Sequence, residues 1–153
     1  MDDRLFRTVM GKFATGVTVI TTLTNDKVHG MTANAFMSVS LNPKLILISI
    51  GNHANMKKYI EESGKFTVNI LSKEQQEESQ YFAGQLNEKR EIQFQWIAGV
   101  PILPRSIANI VCDVYESHLA GDHTLFIGEV KDIHTEDGDP LTFYRGKYDC
   151  ITS

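Results

Sequence analysis

Two long β-type runs, Asn109 to Leu119 and His123 to Thr135, meet at the tripeptide AGD. Runs this rich in Val, Ile, Thr, Leu and aromatic residues, separated by so short a turn, read as one antiparallel hairpin. That hairpin commits the C-terminal half of the chain to a sheet, and the rest must pack around it. VTVITTL, Val17 to Leu23, is β-branched almost throughout, and the turn-like TNDK leads into VHGM as a first hairpin. LILISI (Leu45 to Ile50) and FTVNIL (Phe66 to Leu71) add strands, and DGDP turns the chain before LTFYRGKY.

Helices are few. Asp2 or Asp3 is placed to cap a first helix in which Leu5, Phe6, Val9, Met10 and Phe13 recur at three- and four-residue spacing. Such spacing predicts one buried stripe, with the helix ending near Gly16. A short amphipathic helix begins at Asn55 (NMKKYIEES), and KEQQEESQYF, Lys73 to Phe82, forms another, closed by Gly84. Six or more strands without regular βα repeats predict a mainly β fold with peripheral helices: a closed antiparallel barrel with helices packed outside it.

The chain of 153 residues, 42% hydrophobic and 22% charged, is globular in composition and is read as a single domain over 1–153. A domain of that length buries roughly 70% of its unfolded surface. LILISI falls far short of the ~20 apolar residues of a membrane span, and MDDRLFRTVM builds no signal-peptide core. A soluble cytoplasmic protein is expected. Cys112 and Cys150 lie far apart without a CxxC pattern and read as free thiols. The formal net charge of −4 argues against nucleic acid as a partner, and Lys57 with Lys58 reads as a solvated face.

Several familiar signatures are missing or fail on mechanism. GKFATG, Gly11 to Gly16, has the spacing of a phosphate loop, but Val17 stands where the lysine belongs and the helix precedes the strand. No GxGxxG, GxSxG, HExxH or EF-hand loop occurs. His118 and His123, with Asp122 between, fit no standard zinc spacing. One stretch is left unexplained: GMTANAFMSVSLNP, Gly30 to Pro43, small, hydroxylated and uncharged between apolar runs. It reads either as a surface loop or as a place where backbone comes close to a flat ligand.

MGKFATGVTVITT, GMTANAFMSVSLNP, FTVNIL, FAG (Phe82 to Gly84) and GDHTLFIGEV (Gly121 to Val130) occur in that order. The set resembles the short-chain flavin reductases, the NAD(P)H-dependent components that feed reduced flavin to two-component aromatic monooxygenases, and in particular the phenol hydroxylase reductase component. The likeness runs from about Phe6 to Tyr148. It implies an antiparallel flavin-binding split barrel, a homodimer, and a flavin-dependent oxygenase as partner. The cofactors implied are FAD or FMN, with NADH or NADPH as hydride donor.

The resemblance also assigns residues. Thr32, Ala33, Asn34 and Ala35 lie along the flavin ring, and Ser38 and Ser40 are placed toward the ribityl chain or phosphate. Ser49, Ile50, Phe82, Ala83 and Gly84 join the flavin site. Relatives carry Lys, Arg, Ser or Thr near the phosphate, whereas this chain reads NHANMKK, leaving His53, Asn55 or Lys57 to substitute. His123 is placed beside the nicotinamide as the residue serving hydride transfer. Tyr144, Arg145, Gly146, Lys147 and Tyr148 line the same cleft, with a cation for the nucleotide phosphates. The competing expectations are a flavin-binding electron carrier or sensor without NADH turnover, and a barrel for some other planar ligand.

Overall fold

The computed structural model describes residues 1–152. Its first helix, α1 (Asp3–Met10), is capped by Asp2, whose side chain accepts from the Arg4 amide at 2.9 Å. The rest of the expectation for this segment fails. The helix stops at Met10, with the Gly11 amide donating to the Arg7 carbonyl, well short of Gly16. None of its residues is buried: Leu5, Phe6, Val9 and Met10 are each more than half exposed, and Phe13 is 75% exposed. Helical spacing reports that a face is apolar; it does not say what covers that face.

After β1 (Thr15–Gly16), β2 (Thr18–Thr24) and β3 (Lys27–Ala33) form the first hairpin. It turns at Asn25 and Asp26, whose φ values of 50° and 59° suit the mirror-image turn that matches strand twist and that Asn and Asp tolerate. The unexplained stretch from Gly30 is no loop. It supplies the end of β3 and all of β4 (Phe36–Leu41), which pairs with β5 (Lys44–Gly51). A strand at a sheet edge with one open face can lack bulk and so resemble a loop in sequence.

Next come α2 (Asn55–Ser63), β6 (Lys65–Ile70), α3 (Gln76–Phe82), and a short hairpin of β7 (Gln95–Ile97) and β8 (Val100–Ile102) that the sequence did not announce. The long hairpin forms as read, from β9 (Ala108–Ala120) and β10 (His123–Thr135). LTFYRGKY folds back on itself as β11 (Leu141–Tyr144) and β12 (Lys147–Cys150), turning at Arg145 and Gly146, both at positive φ.

Seven strands make one antiparallel sheet in the order β3-β2-β6-β9-β10-β5-β4. Its two edge strands, β3 and β4, are separated in the chain by Asn34 and Ala35 alone. The sheet must therefore roll until its edges meet at that end, giving a barrel split along the β3/β4 line. Ile20, Ile48, Ile50, Phe66, Val68 and Phe126 point inside and are wholly buried or nearly so, and α2 adds Met56 and Ile60. Burying side chains of this size stabilises by about 1.5–3 kcal/mol each. A second sheet, β1-β11-β12, lies beside a smaller core of Val17, Val19, Leu71, Leu103 and Leu141. Among the described residues no helix is long and apolar enough to cross a membrane.

Candidate functional site

The two residues that bridge the split border the cleft that forms the candidate site. Asn34 and Ala35 are exposed, and among the described residues neither amide donates to a backbone or side-chain acceptor. Their neighbours are held firmly. The Thr32 hydroxyl donates to the Ser79 carbonyl at 2.6 Å, the Thr18 hydroxyl donates to the Ala33 carbonyl at 2.6 Å, and the Asn34 side-chain amide reaches the Thr15 hydroxyl at 3.3 Å. The result is a fixed segment that presents free N–H groups.

Those groups border a cleft of about 680 Å³ lined by Met10, Phe13, Asn34, Ala35, Met37, Leu47 and Phe143, among others. Its walls are mostly apolar, and its volume lies in the range of roughly 300–1,000 Å³ usual for cofactor sites. A smaller cavity of about 180 Å³ adjoins the same segment, with Thr32, Ala33, Asn34, Ser79, Ala83, Phe143 and Tyr148 around it. A third, of about 520 Å³, brings Asn55, Phe82 and Gly84 together with Tyr81 and the stacked pair His29 and Tyr59, whose ring centroids lie 3.5 Å apart. Burial, and then the charge of Lys27, keeps the His29 imidazole below its usual pKa.

His123 opens β10 at the same end of the sheet. The Ser49 amide donates to the Ala35 carbonyl at 3.2 Å, Leu125 stands opposite Ser49, and His123 stands opposite Gly51. The ring Nδ1 lies 2.8 Å from the Asp122 carboxylate, and this hydrogen bond holds the Asp122 carboxyl below its ordinary pKa. The turn is pinned by Asn52, whose amide donates to the Asp122 carbonyl and whose side-chain oxygen accepts from the Thr124 hydroxyl at 2.6 Å. His118 instead faces Glu116, at 2.9 Å.

The remaining candidates are distributed unevenly. Ser38 is exposed and Ser40 half-buried on β4, on either side of a bulge. Ser49 is half-buried, but the side chain of Ile50 lies wholly in the core, which leaves only its backbone for any contact with a ligand. His53 and Asn55 are exposed at the start of α2, where Ala54 provides no side-chain cap. Uncapped amides at a helix start attract anions. Tyr144, Arg145, Gly146 and Lys147 are exposed on the C-terminal hairpin, with the Arg145 guanidinium 5.1 Å from the Tyr144 ring centre. The Tyr148 hydroxyl turns inward to Ser79, at 2.8 Å.

Sequence reasoning missed Asn52, Ser79 and Phe143. Their placements depend on partners far along the chain, and a lone Asn, Ser or Phe carries no local signal of that kind.

Residues 10–152 match the family described as the flavin reductase like domain. The chain is 46% identical over 145 residues to an NADH-dependent flavin reductase of Rhodococcus sp., a match covering 93% of this chain and 82% of the relative. It is 38% identical to the flavin-dependent monooxygenase reductase subunit HsaB of Rhodococcus jostii, covering 99% and 79% respectively. The solved structure of the flavin reductase PheA2 in its native state superposes with a TM-score of 0.98 at 57% identity, covering the whole of both chains.

Proposed function

Because the chain belongs to the flavin reductase like domain family, we propose that it is an NADH-dependent flavin reductase that supplies reduced flavin to a separate monooxygenase. The observation that carries this reading is the rigid Thr32–Ala35 segment, which presents unpartnered amides to a mostly apolar cleft at the end of the sheet where His123 stands.

The residues present suit a flavin. Its ring needs donors for carbonyl oxygens and ring nitrogens, and the free amides of Asn34 and Ala35 provide them without reorganising. Ala33 and Ala35 are small enough for close approach, while Met37, Leu47 and Phe143 give flat apolar contact. The phosphate end of FMN or FAD falls to the open start of α2, with His53, Asn55 and Lys57, whereas Ser38 and Ser40 stand opposite Ile46 and Leu45, too far back along β5 from Gly51 to share it. When bound, flavin supplies the redox chemistry, accepting the hydride that reduced nicotinamide brings. What the protein contributes is alignment: His123, oriented by Asp122, holds the nicotinamide, and Arg145 and Lys147 meet the nucleotide phosphates.

A homodimer belongs to the same proposal. The apolar face of α1 is open, and β4 is an edge strand without a charge from Phe36 to Leu41, with Met37, Val39 and Leu41 exposed. Soluble proteins normally protect such an edge, and a second copy would cover both surfaces. Phe13 and Trp96 are exposed and available as anchors, whereas Phe36 packs against the core. The two free cysteines suit the reducing cytoplasm.

An absorbance scan with NADH and excess free flavin tests the function. Many turnovers per chain are expected. A single reduction of bound flavin, with added flavin untouched, would replace this reading with that of an electron carrier.

A further inference from the structure

Ser79 touches both walls of the small cavity beside the flavin-facing segment. It sits on α3 with no exposed surface. Its carbonyl accepts from the Thr32 hydroxyl at 2.6 Å, and its own hydroxyl lies 2.8 Å from that of Tyr148. Thr32 is the second-last residue of β3, two residues before Asn34, the first of the free amides. Tyr148 lies on β12, the strand of the small sheet farthest from β1. The Tyr148 ring is also braced edge-on by Phe143, with ring centres 5.2 Å apart.

We infer that Ser79 is a positioning residue for hydride transfer: by binding Thr32 through its carbonyl and Tyr148 through its hydroxyl, it sets the spacing between the flavin-facing strand and the C-terminal hairpin. The inference rests on the flavin reductase reading. The β11–β12 hairpin borders both the large cleft, through Phe143, and the small cavity, through Phe143 and Tyr148. A shift of its free end alters the width of the space above Thr32 to Asn34. Hydride transfer depends steeply on the separation of the reacting atoms, so the hydroxyl pair acts on rate more than on affinity.

The test compares Ser79→Ala, Tyr148→Phe and the double variant, each keeping the carbonyl link or the ring. Three quantities are measured: flavin affinity by titration, the rate of flavin reduction at saturating NADH by stopped flow, and backbone hydrogen exchange over residues 141–150. Each single variant is expected to slow reduction about 10-fold with flavin affinity changed less than about 3-fold, and the double variant to be no slower than either single, since both remove one contact. Exchange in the hairpin should rise in all three.

Unchanged reduction rates, or effects that multiply in the double variant, would overturn the inference. So would loss of flavin affinity and melting temperature together without a change in rate. If Ser79→Ala does not fold, Tyr148→Phe carries the test by the same split. If the wild type reduces no flavin, the functional reading fails, and exchange alone still decides whether the hydroxyl pair holds the hairpin.

Discussion

The ring of Phe82 fills the space that a side chain at position 30 would take: a Cβ on Gly30 would stand 2.6 Å from two of its ring carbons. Phe82 ends α3, and Gly30 lies on β3 two residues before Thr32. Together with the bond from Thr32 to Ser79, this contact seats α3 on the strand that leads into the cleft.

Gly30→Ala is therefore expected to displace the ring, which is hemmed in by Tyr81 and Phe94. The expected destabilisation is about 1–3 kcal/mol, as for overpacking elsewhere. Urea denaturation measures it. Wild-type stability in the variant would show that Phe82 moves aside freely.

Ala35→Leu tests the cleft itself. Ala35 is exposed and its carbonyl is held by the Ser49 amide, so the barrel should fold normally. The added bulk should weaken flavin binding by about 1–3 kcal/mol. A titration showing unchanged affinity would remove Ala35 from the flavin site.

The two thiols should behave oppositely. Cys150 is exposed, whereas Cys112 is buried with its Sγ near the space beside Gly128, and burial pushes its pKa up to about 12. One thiol per native chain should react with an aromatic disulfide reagent, and two after denaturation. The unfolded thiol ionises near pH 8.5, so between there and pH 12 the unfolded state holds fewer protons than the native state. Stability must then fall as pH rises, by up to about 1.4 kcal/mol per pH unit from this group. Cys112→Ala should flatten that part of the profile.

The open face of α1 makes the assembly testable. If a second copy covers Leu5, Phe6 and Val9, then Phe6→Asp should give a smaller mass in sedimentation while the barrel keeps its far-UV spectrum. A wild-type mass that is already monomeric at every concentration would sink the homodimer.

Much of the barrel was legible because it is written locally. The β-branched runs, the Asn25–Asp26 turn and the Gly121–Asp122 turn each state their own conformation. Alternation along β5 also separates half-buried Ser49 from Ile50, whose side chain lies in the core. What was illegible is what depends on distant register. Asn52 meets Gly121 and Asp122 only because β5 pairs with β10, and Ser79 meets Tyr148 only because the small sheet folds back over α3. The exposed stripe of α1 was misread because periodicity marks an apolar face without naming its cover. The candidate site divides in the same way: composition singles out the Thr32–Ala35 segment but leaves it open between a loop and a ligand-facing stretch, and the residues that fix it carry no local signal.

His123 allows the proposed nicotinamide role to be separated from the cleft at Asn34 and Ala35. It is half-exposed, bonded to Asp122 and set over Gly51, so His123→Ala should leave the barrel and the Thr32–Ala35 segment intact. Loss of uniform binding would raise KM for NADH with little change in kcat, whereas loss of alignment would lower kcat by about 10- to 100-fold. Asp122→Asn should produce a weaker version of the same pattern, since it keeps a hydrogen-bonding group beside the ring but removes the charge. Wild-type NADH kinetics in His123→Ala, or joint loss of flavin and stability, would show that this histidine serves the turn alone, and the nicotinamide would then have to be held from the C-terminal hairpin.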